Sequence, residues 1–374
     1  MKEKMFFAAA VCCMMAASCG KENVPDEPVV PMKAVVYAVG QEIVPGAGFY
    51  YASIWKDGVR TRLSDGTYDA FCNGVYADGD NVYIVGCEAT GDLVDDGYYD
   101  PYQQNVAVMW NFKVGDEANA VKTTLSDGKY STSPLAATVC GGKVYVAGFD
   151  SPSYDRRAIM WEDGQIKYLT DGTTDALAYC IYSDGKDVYV GGYVQSADDS
   201  SYGVATIWKN GVAQNLTDGK SLAKVNAIYV DGGKVYAAGA EREKSENWRG
   251  VLWIDGVAQY FTEVCGTEVT GLYVKDGKWI VEGNMTDDNS DIHPYIWTAE
   301  GAELVSDVQM CQGLGLAVDE DDVYVAGTAL TGYDEDYNTL FKGYLWKNGE
   351  VQTLETDSED FSLWDVTCAY VPEQ

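Results

Sequence analysis

A tryptophan recurs through this chain at intervals of 44 to 55 residues, and this repeat constrains the fold more than any other feature of the sequence. Each tryptophan lies in a similar phrase, such as Ala-Ile-Met-Trp-Glu-Asp-Gly at 158–164 or Ala-Thr-Ile-Trp-Lys-Asn-Gly at 205–211. A second phrase precedes it, as in Val-Tyr-Val-Ala-Gly at 144–148. Self-similarity at this period predicts stacked structural units. The repeated tryptophans are Trp55, Trp110, Trp161, Trp208, Trp253, Trp297 and Trp346.

Each unit carries four strand signals, which we name a to d. Strand a is an alternating apolar segment such as 223–230, and strand b is the Val-Tyr phrase, rich in β-branched and aromatic residues. Strand c carries the tryptophan. Asn-Gly or Asp-Gly then predicts a two-residue turn into strand d, because these residues accept positive φ. Four antiparallel strands in a unit of about 45–50 residues are typical of a β-propeller blade.

The two ends of the chain predict how a ring of such blades closes. The repeat begins at strand b, near Lys33, and it ends with an unaccompanied strand a at 363–371. The C-terminal strand therefore completes the first blade. We predict an all-β fold over residues 33–374, a seven-bladed β-propeller of four-stranded antiparallel blades, with the tryptophans packed between blades.

The N-terminal residues predict export and a lipid anchor. Two lysines precede an apolar stretch at 5–17 that is too short to cross a bilayer. The following Ala-Ala-Ser-Cys-Gly at 16–20 resembles the lipobox of bacterial lipoproteins, in which the cysteine is lipidated and becomes N-terminal. The resemblance implies a signal peptide at 1–18, lipidation of Cys19 and a place in the cell envelope, expected at the outer membrane. Residues 19–32 contain three prolines and are expected to form a tether. The alternative is an ordinary secretory signal.

The repeat itself resembles kelch-type propellers, and more loosely WD40-type propellers. The resemblance is carried by the strand order, the glycine that ends strand b and the tryptophan that follows it, over residues 33–371. It implies the architecture only, because strand b ends in a double glycine only at Gly191-Gly192 and Trp-Asp occurs only at Trp364-Asp365. The whole chain is similar to propeller lipoproteins of Gram-negative envelopes.

The charge of the chain restricts its partners. The net charge is −32, from 58 acidic and 26 basic residues. Such a field repels nucleic-acid phosphates and anionic lipid surfaces, so we expect no nucleic-acid partner. Contact with the membrane is expected through the N-terminal lipid, and the protein is expected to be a monomer.

The strand order separates two faces of the ring. The b-to-c and d-to-a connections lie on one face, the loop face, and the tight a-to-b and c-to-d turns lie on the other, the hairpin face. Both chain ends are predicted on the hairpin face, so the loop face points away from the membrane. Its long loops carry aromatic residues interleaved with acidic ones, which suit a glycan or protein ligand. The alternative is that these aromatics only hold the loops down. The predicted ligand-binding residues are Tyr98, Tyr99, Tyr102, Tyr154, Tyr202, Trp248, Tyr295 and Tyr337.

Catalysis has little support in the sequence. The single histidine, His293, cannot build a catalytic triad or a histidine metal cluster and is expected at the surface. We therefore favour a non-enzymatic binding protein. The alternative function is a carbohydrate-active enzyme, a glycosidase or lyase, with paired carboxylates at the ring axis.

No cofactor is predicted, although two acidic segments, 287–291 and 334–336, have oxygen ligands at a spacing that suits a structural calcium ion. Four Asp-Gly pairs are instead predicted to form turns with their own backbone; they begin at Asp65, Asp127, Asp171 and Asp218. Cys265 and Cys311 occupy similar positions in successive units and are a candidate disulfide.

Overall fold

The computed structural model describes residues 31–372 apart from 44, 45, 47, 95–101, 153, 154, 244, 245, 264, 265, 288, 335 and 336. In this part of the chain, all regular structure is β-strand except one turn of 3-10 helix at Glu117–Asn119. The first fourteen strands are β1 Met32–Ile43, β2 Tyr50–Lys56, β3 Val59–Arg62, β4 Ala70–Asp78, β5 Asn81–Val94, β6 Tyr102–Lys113, β7 Val121–Thr124, β8 Ser131–Cys140, β9 Lys143–Ser151, β10 Arg157–Glu162, β11 Gln165–Tyr168, β12 Ala176–Ser183, β13 Val188–Gln195 and β14 Gly203–Lys209. The remaining fourteen are β15 Val212–Asn215, β16 Leu222–Asp231, β17 Lys234–Arg242, β18 Arg249–Ile254, β19 Val257–Tyr260, β20 Glu268–Lys275, β21 Lys278–Thr286, β22 Ile292–Thr298, β23 Gly301–Leu304, β24 Cys311–Asp319, β25 Asp322–Tyr333, β26 Thr339–Lys347, β27 Glu350–Val351 and β28 Asp360–Pro372.

These strands form five four-stranded sheets and one eight-stranded sheet. The four-stranded sheets are β28-β1-β2-β3, β4–β7, β8–β11, β20–β23 and β24–β27. The eight-stranded sheet holds β12–β15 and β16–β19. Among the described residues, the only strand pairing between these halves is one parallel bridge, Gly203 opposite Leu222. Within each group of four strands the pairing is antiparallel, which confirms the predicted blade.

The sheets radiate from a common centre. The first strands of the groups contact one another in the cyclic order β4, β8, β12, β16, β20, β24 and β28. The fourth strands lie on the outside, and β7, β11, β15, β19 and β23 are exposed at every residue. Antiparallel blades arranged around a centre in this way define a β-propeller.

The last strand pairs with the first along their full lengths. Their antiparallel register runs from Met32 opposite Pro372 to Ile43 opposite Asp360. Strand β28 also packs against β24, β25 and β26 of the preceding sheet. Within the same sheet, the buried carboxylate of Glu42 on β1 accepts hydrogen bonds from two residues of β3, Arg60 at 2.9 Å and Arg62 at 2.8 Å.

The repeated tryptophans pack between neighbouring sheets, as predicted. Each has at most 3% of its surface exposed, and each belongs to a different hydrophobic cluster. Trp208 on β14, for example, packs with Ala147 on β9 of the preceding sheet. Trp55 on β2 packs with Tyr324 on β25. The tryptophan repeat is therefore the repeat of the inter-blade core.

The glycine that ends each strand b has a steric cause. Every strand a carries a β-bulge opposite this glycine, as between Val225 and Ala227 opposite Gly239. A Cβ atom on Gly239 would lie 1.9 Å from the carbonyl oxygen of Lys224. A side chain cannot fit beneath the bulge, so glycine is required by close backbone approach. The equivalent glycines would meet a carbonyl oxygen at 1.8 to 2.1 Å; they are Gly40, Gly86, Gly148, Gly192, Gly283 and Gly327.

Five c-to-d turns have the predicted two-residue form, whereas the β6–β7 connection spans residues 114–120 and the β22–β23 turn, Ala299-Glu300, has no positive φ. In the five, the first residue has a positive φ, for example 50° at Asn210, and the following glycine has φ of 82° at Gly211. The Asn210 side chain also accepts a hydrogen bond from the Val188 N–H at 2.9 Å, which ties the turn to the start of strand b. These turns and the a-to-b turns lie on the hairpin face, where the Met32–Pro372 pair also lies. Among the described residues, no helix is long and apolar enough to span a membrane.

Candidate functional site

Several of the predicted ligand-binding residues lie outside the described residues. These are Tyr98, Tyr99 and Tyr154, and the predicted lipidation site Cys19 also lies outside them. The backbone of Tyr102 pairs with Val94 at the start of β6. The prediction for these positions stays a prediction.

Three other predicted residues occupy unrelated environments. Tyr202 closes the β13–β14 connection, because its carbonyl accepts a hydrogen bond from the Ser196 N–H at 2.9 Å. Tyr295 lies within β22 rather than in a loop, and its ring stacks on that of Trp297 with centroids 5.7 Å apart. Tyr337 projects from the β25–β26 connection and is 87% exposed. The structure therefore does not gather these three residues into one site.

Trp248 lies on the loop face between two cations. The guanidinium of Arg242 is 4.9 Å from the centroid of its ring, and Lys224 Nζ is 5.4 Å from it. The same lysine forms an ion pair with Glu268 at 3.1 Å and lies 5.7 Å from the ring of Tyr179. These contacts hold the β17–β18 connection against β16, and the role of Trp248 in ligand binding stays a prediction.

The cation–aromatic contacts continue across the loop face to Arg156. Its guanidinium donates to both oxygens of Asp175, at 2.8 and 2.7 Å, and to the Tyr193 hydroxyl at 3.0 Å. Burial acts to raise the pKa of Asp175, but the hydrogen bonds from Arg156 and Tyr193 outweigh it and hold that pKa below its usual range. The arrangement is a fixed ion pair at the edge of the eight-stranded sheet.

A concave site lies next to Arg156, between the β7–β8 connection and the sheet β8–β11. This Arg157 cleft has a volume of about 500 Å³, within the range of about 300–1,000 Å³ that is common for small-ligand sites. It is built where β7 leads into β8 on the loop face and extends along the outer strand β11. Its lining residues are Leu125, Ser126, Asp127, Lys129, Tyr130, Thr132, Asp150, Arg157, Gly164, Ile166 and Tyr168.

The centre of the cleft is a rigid cation flanked by two tyrosines. Arg157 donates to both oxygens of the buried Asp150, at 2.9 and 2.5 Å, and this pairing raises the pKa of the guanidinium. Its guanidinium lies 4.3 Å from the ring of Tyr168 and 5.8 Å from the ring of Tyr130. Lys129 Nζ lies 4.9 Å from the Tyr130 ring. A ligand in the cleft would meet two aromatic rings, two cations and the carboxylate of Asp127.

Sequence reasoning missed this cleft. Tyr130, Arg157 and Tyr168 come from a d-to-a connection, a strand c and a strand d, so no local motif joins them. The only local signal is Arg156-Arg157, the single Arg-Arg pair in an acidic chain. The cation–tyrosine pair alone is also insufficient as a signal, because Arg249 lies 3.9 Å from the ring of Tyr260 at the equivalent place two blades further along the chain.

Two buried carboxylates near the inner strands were also missed. Glu282 on β21 is fully buried, accepts a hydrogen bond from the Thr270 hydroxyl and has no partner for Oε1 among the described residues. Burial raises the pKa of Glu282 to about 8. Asp365 on β28 accepts a hydrogen bond from the Val75 N–H at 2.9 Å, and burial raises its pKa to about 7.

Glycines make room for both acids. A Cβ atom on Gly313 would lie 2.0 Å from Glu282 Oε1, and one on Gly315 would lie 2.6 Å from Asp365 Oδ1. Because Glu282 is fully buried, a substrate cannot reach it, and this pair does not favour the alternative of a glycosidase or lyase.

Of the two segments predicted to suit calcium, residues 335 and 336 lie outside the described residues, so the prediction for 334–336 stays a prediction. The four Asp-Gly pairs form turns with their own backbone, as predicted: Asp171 Oδ1, for example, accepts a hydrogen bond from the Thr173 N–H at 3.0 Å. In segment 287–291, Asp287 and Asp291 lie close to His293, and one possible ligand atom from each of the three residues lies within 4.8 Å of the other two. His293 is half-buried on β22 rather than fully exposed.

The candidate disulfide between Cys265 and Cys311 stays untested. Cys311 is buried, while Cys265 lies outside the described residues.

The strand arrangement defines a β-propeller, and comparison with solved structures supports that fold. The β-propeller domain of the Trilobed protease from Pyrococcus furiosus, which has an open velcro topology, is similar with a TM-score of 0.51 and 12% identity, over 86% of this chain and 94% of that one. A puromycin-hydrolyzing peptidase from Mycobacterium tuberculosis is similar with a TM-score of 0.52 and 10% identity, over 80% of this chain and 48% of that one.

At these identities the likeness shows the fold alone. This chain spans about half the length of the peptidase that it matches. No family model and no curated protein matches the sequence. The resemblance to kelch-type and WD40-type repeats therefore stays a prediction.

Proposed function

We propose that this protein is a non-enzymatic binding module of the cell envelope and that its ligand is a glycan held in the Arg157 cleft. The observation that carries the proposal is a concave site of about 500 Å³ whose two tyrosine rings flank an immobilised guanidinium. Tyrosine rings stack on the C–H faces of sugars, and charged groups beside them bind hydroxyl groups. Tyr168 is 57% exposed, so its ring is available to a ligand.

Rigidity supports a binding role for this cleft. Arg157 is fixed by both oxygens of Asp150, and that carboxylate is only 3% exposed. A site that is ordered before the ligand arrives loses little side-chain entropy on binding.

We also propose that the ring has seven blades and that β28 closes it. The count treats β12–β15 and β16–β19 as two blades, because a single bridge joins them and each holds its own buried tryptophan, Trp208 or Trp253. The closure is supported by the register of β28 on β1 and by the contacts of β28 with the preceding sheet. The kelch-like order of strands is part of the same proposal.

The anchor proposed for this module is the lipidated Cys19, with residues 19–32 as its tether. The pairing of Met32 with Pro372 supports this orientation, since the tether then leaves from the hairpin face, whereas the end of the Arg157 cleft formed by residues 125–130 lies on the loop face, away from the membrane. Replacement of Cys19 by Ala should abolish metabolic labelling with a radioactive fatty acid and release the protein from the membrane fraction. Labelling that persists in Cys19→Ala would refute the lipobox.

The similar peptidases do not extend this proposal to peptide hydrolysis. The activity named for the Mycobacterium tuberculosis protein belongs to a chain about twice as long as its matched part. Protein ligands remain an outcome of the binding test, and no peptidase activity is proposed.

The test is a glycan array probed with the purified protein, followed by calorimetric titration of the best-bound glycan. Tyr168→Ala removes one wall of the cleft and should weaken binding by about tenfold or more, a loss of about 1.4 kcal/mol. The matched control is Tyr260→Ala, which removes the equivalent tyrosine beside Arg249 outside the cleft and should leave affinity unchanged. Equal losses in both variants, or an array without any bound glycan, would overturn the proposal. Binding of an acidic peptide instead would identify a protein ligand.

A further inference from the structure

Two connections on the loop face, β21–β22 and β25–β26, share one turn geometry, but only β21–β22 adds a second aspartate and a histidine to it. In the β21–β22 connection, Asp287 N–H donates to the Asp291 carbonyl at 2.8 Å and Asp291 N–H donates to Asp287 Oδ1 at 2.9 Å. In the β25–β26 connection, Asp334 N–H donates to the Asn338 carbonyl at 2.9 Å and Asn338 N–H donates to Asp334 Oδ1 at 2.8 Å. The turn itself therefore accounts for the first aspartate of each loop, with no ion required.

The β21–β22 connection differs in what it adds to the turn. Asp291 stands where the other turn has Asn338, and His293, the single histidine of the chain, stands two residues further on, where the other connection has Leu340. One ligand atom from each of Asp287, Asp291 and His293 lies within 4.8 Å of the other two. His293 Nδ1 is buried and has no hydrogen-bond partner among the described residues.

A buried ring nitrogen without a partner is costly unless something binds it, at about 1–3 kcal/mol. We propose that Asp287, Asp291 and His293 bind a divalent cation of the Zn²⁺ type. Imidazole nitrogen and carboxylate oxygen are both zinc ligands, and three protein ligands leave the fourth tetrahedral position for water. Calcium prefers six to eight oxygen ligands and gains nothing from imidazole. The site is independent of the Arg157 cleft.

Two further features of the molecule support a cation at this place. Gln309, which precedes β24, donates from Nε2 to Asp291 Oδ2 at 3.0 Å and so orients that carboxylate from the neighbouring sheet. Outer partners of this kind hold metal ligands in position. The net charge of −32 also raises the local concentration of cations around the protein. A bound ion would therefore connect the β21–β22 loop to the segment that leads into the next blade.

The test is titration of the chelator-treated full chain with ZnCl2 alone and, separately, with CaCl2 alone, followed by calorimetry and by thermal unfolding. Zn²⁺ should bind with a stoichiometry of about one and raise the unfolding temperature, since it binds only the folded state. His293→Gln and Asp291→Asn should each weaken Zn²⁺ binding by more than about 100-fold, beyond the losses typical of outer partners. Asp334→Asn, in the matching turn, should bind Zn²⁺ like the wild type, and Ca²⁺ should shift none of the proteins.

Three results would overturn this site. Wild-type protein that shows no Zn²⁺ binding would exclude it. Zn²⁺ binding that survives in His293→Gln would assign the metal to other groups, such as the free cysteines. Stabilisation by Ca²⁺ that is lost in Asp287→Asn but retained in His293→Gln would assign an oxygen-only site. Circular dichroism of the variants without metal separates loss of the site from loss of the fold.

Discussion

Replacing Glu282 by glutamine should change how the stability of the protein depends on pH. Burial raises the pKa of Glu282 from the ordinary 4.5 to about 8 in the folded state, with a smaller contribution from the charge of Asp365. The fold therefore favours the protonated carboxyl. The stability that this group contributes is complete below about pH 4.5 and is lost as the pH rises to about 8.

The size of this loss follows from the shift. One pKa unit corresponds to about 1.4 kcal/mol, so the rise from 4.5 to about 8 amounts to about 5 kcal/mol in the free energy of unfolding. Glutamine keeps the shape and the contact with Thr270 but cannot ionise. The Glu282→Gln variant should therefore lose less stability than the wild type across this interval, with most of the 5 kcal/mol difference appearing between about pH 5 and pH 8.

Urea unfolding followed by tryptophan fluorescence at a series of pH values measures these free energies. The control is Glu303→Gln on the same sheet. Strand β23 is exposed at every residue, so the carboxylate of Glu303 is hydrated in the folded state. It should follow the wild-type pH dependence. The reasoning fails if Glu282→Gln and Glu303→Gln both retain the wild-type slope.

Three further predictions concern the ring itself. Trp208→Ala empties an inter-blade cluster and should lower the free energy of unfolding by about 3–5 kcal/mol in urea titration; a loss below about 1 kcal/mol would contradict the packing role. Gly148→Ala places a methyl group 2.1 Å from the carbonyl oxygen of Ser133 and should lower the unfolding temperature, whereas Gly48→Ala, with nothing within 4 Å, should not; equal melting of the two variants would refute the bulge argument. Deletion of residues 361–374 removes most of β28 and should broaden calorimetric unfolding and lower its midpoint, and a deletion variant that melts like the full chain would show that β28 does not close the ring.

The parts of the fold that sequence could predict are those that recur in every unit. Trp208 and its counterparts occupy the same packing position in each unit, and the glycine of strand b lies opposite the same bulge in each unit. The sequence therefore repeats the evidence for each of these two features in every unit. The missing first strand of the repeat and the surplus strand at 363–371 predict the pairing of β28 with β1. Asn-Gly and Asp-Gly predict turns because their backbone requirement is local.

The site could not be predicted in the same way, because its residues occur once. Tyr130 and Tyr168 are 38 positions apart, and only the folding of β8–β11 into one sheet brings both beside Arg157. The predicted loop aromatics do not lie in this cleft: Trp248 is held between cations in the β17–β18 connection, and Tyr295 lies in a strand. The chain contains 28 tyrosines, so an aromatic residue in a loop distinguishes little.

The buried acids show a related limit. Glu282 stands at a position of strand b where the other units have Val39, Val85, Ala147, Gly191, Ala238 and Ala326. Sequence alone marks it as an exception to the repeat. Its burial depends on Gly313, which belongs to a different sheet and supplies the space for the carboxylate.

Hydrogen exchange followed by mass spectrometry, with and without the best-bound glycan of the array, tests the central claim most directly. Binding in the Arg157 cleft predicts slower exchange in residues 125–132 and in β11, and unchanged exchange in β19, which carries the equivalent Tyr260. Slower exchange around Trp248 or at the a-to-b turns, with residues 125–132 unaffected, would contradict the cleft as the ligand site.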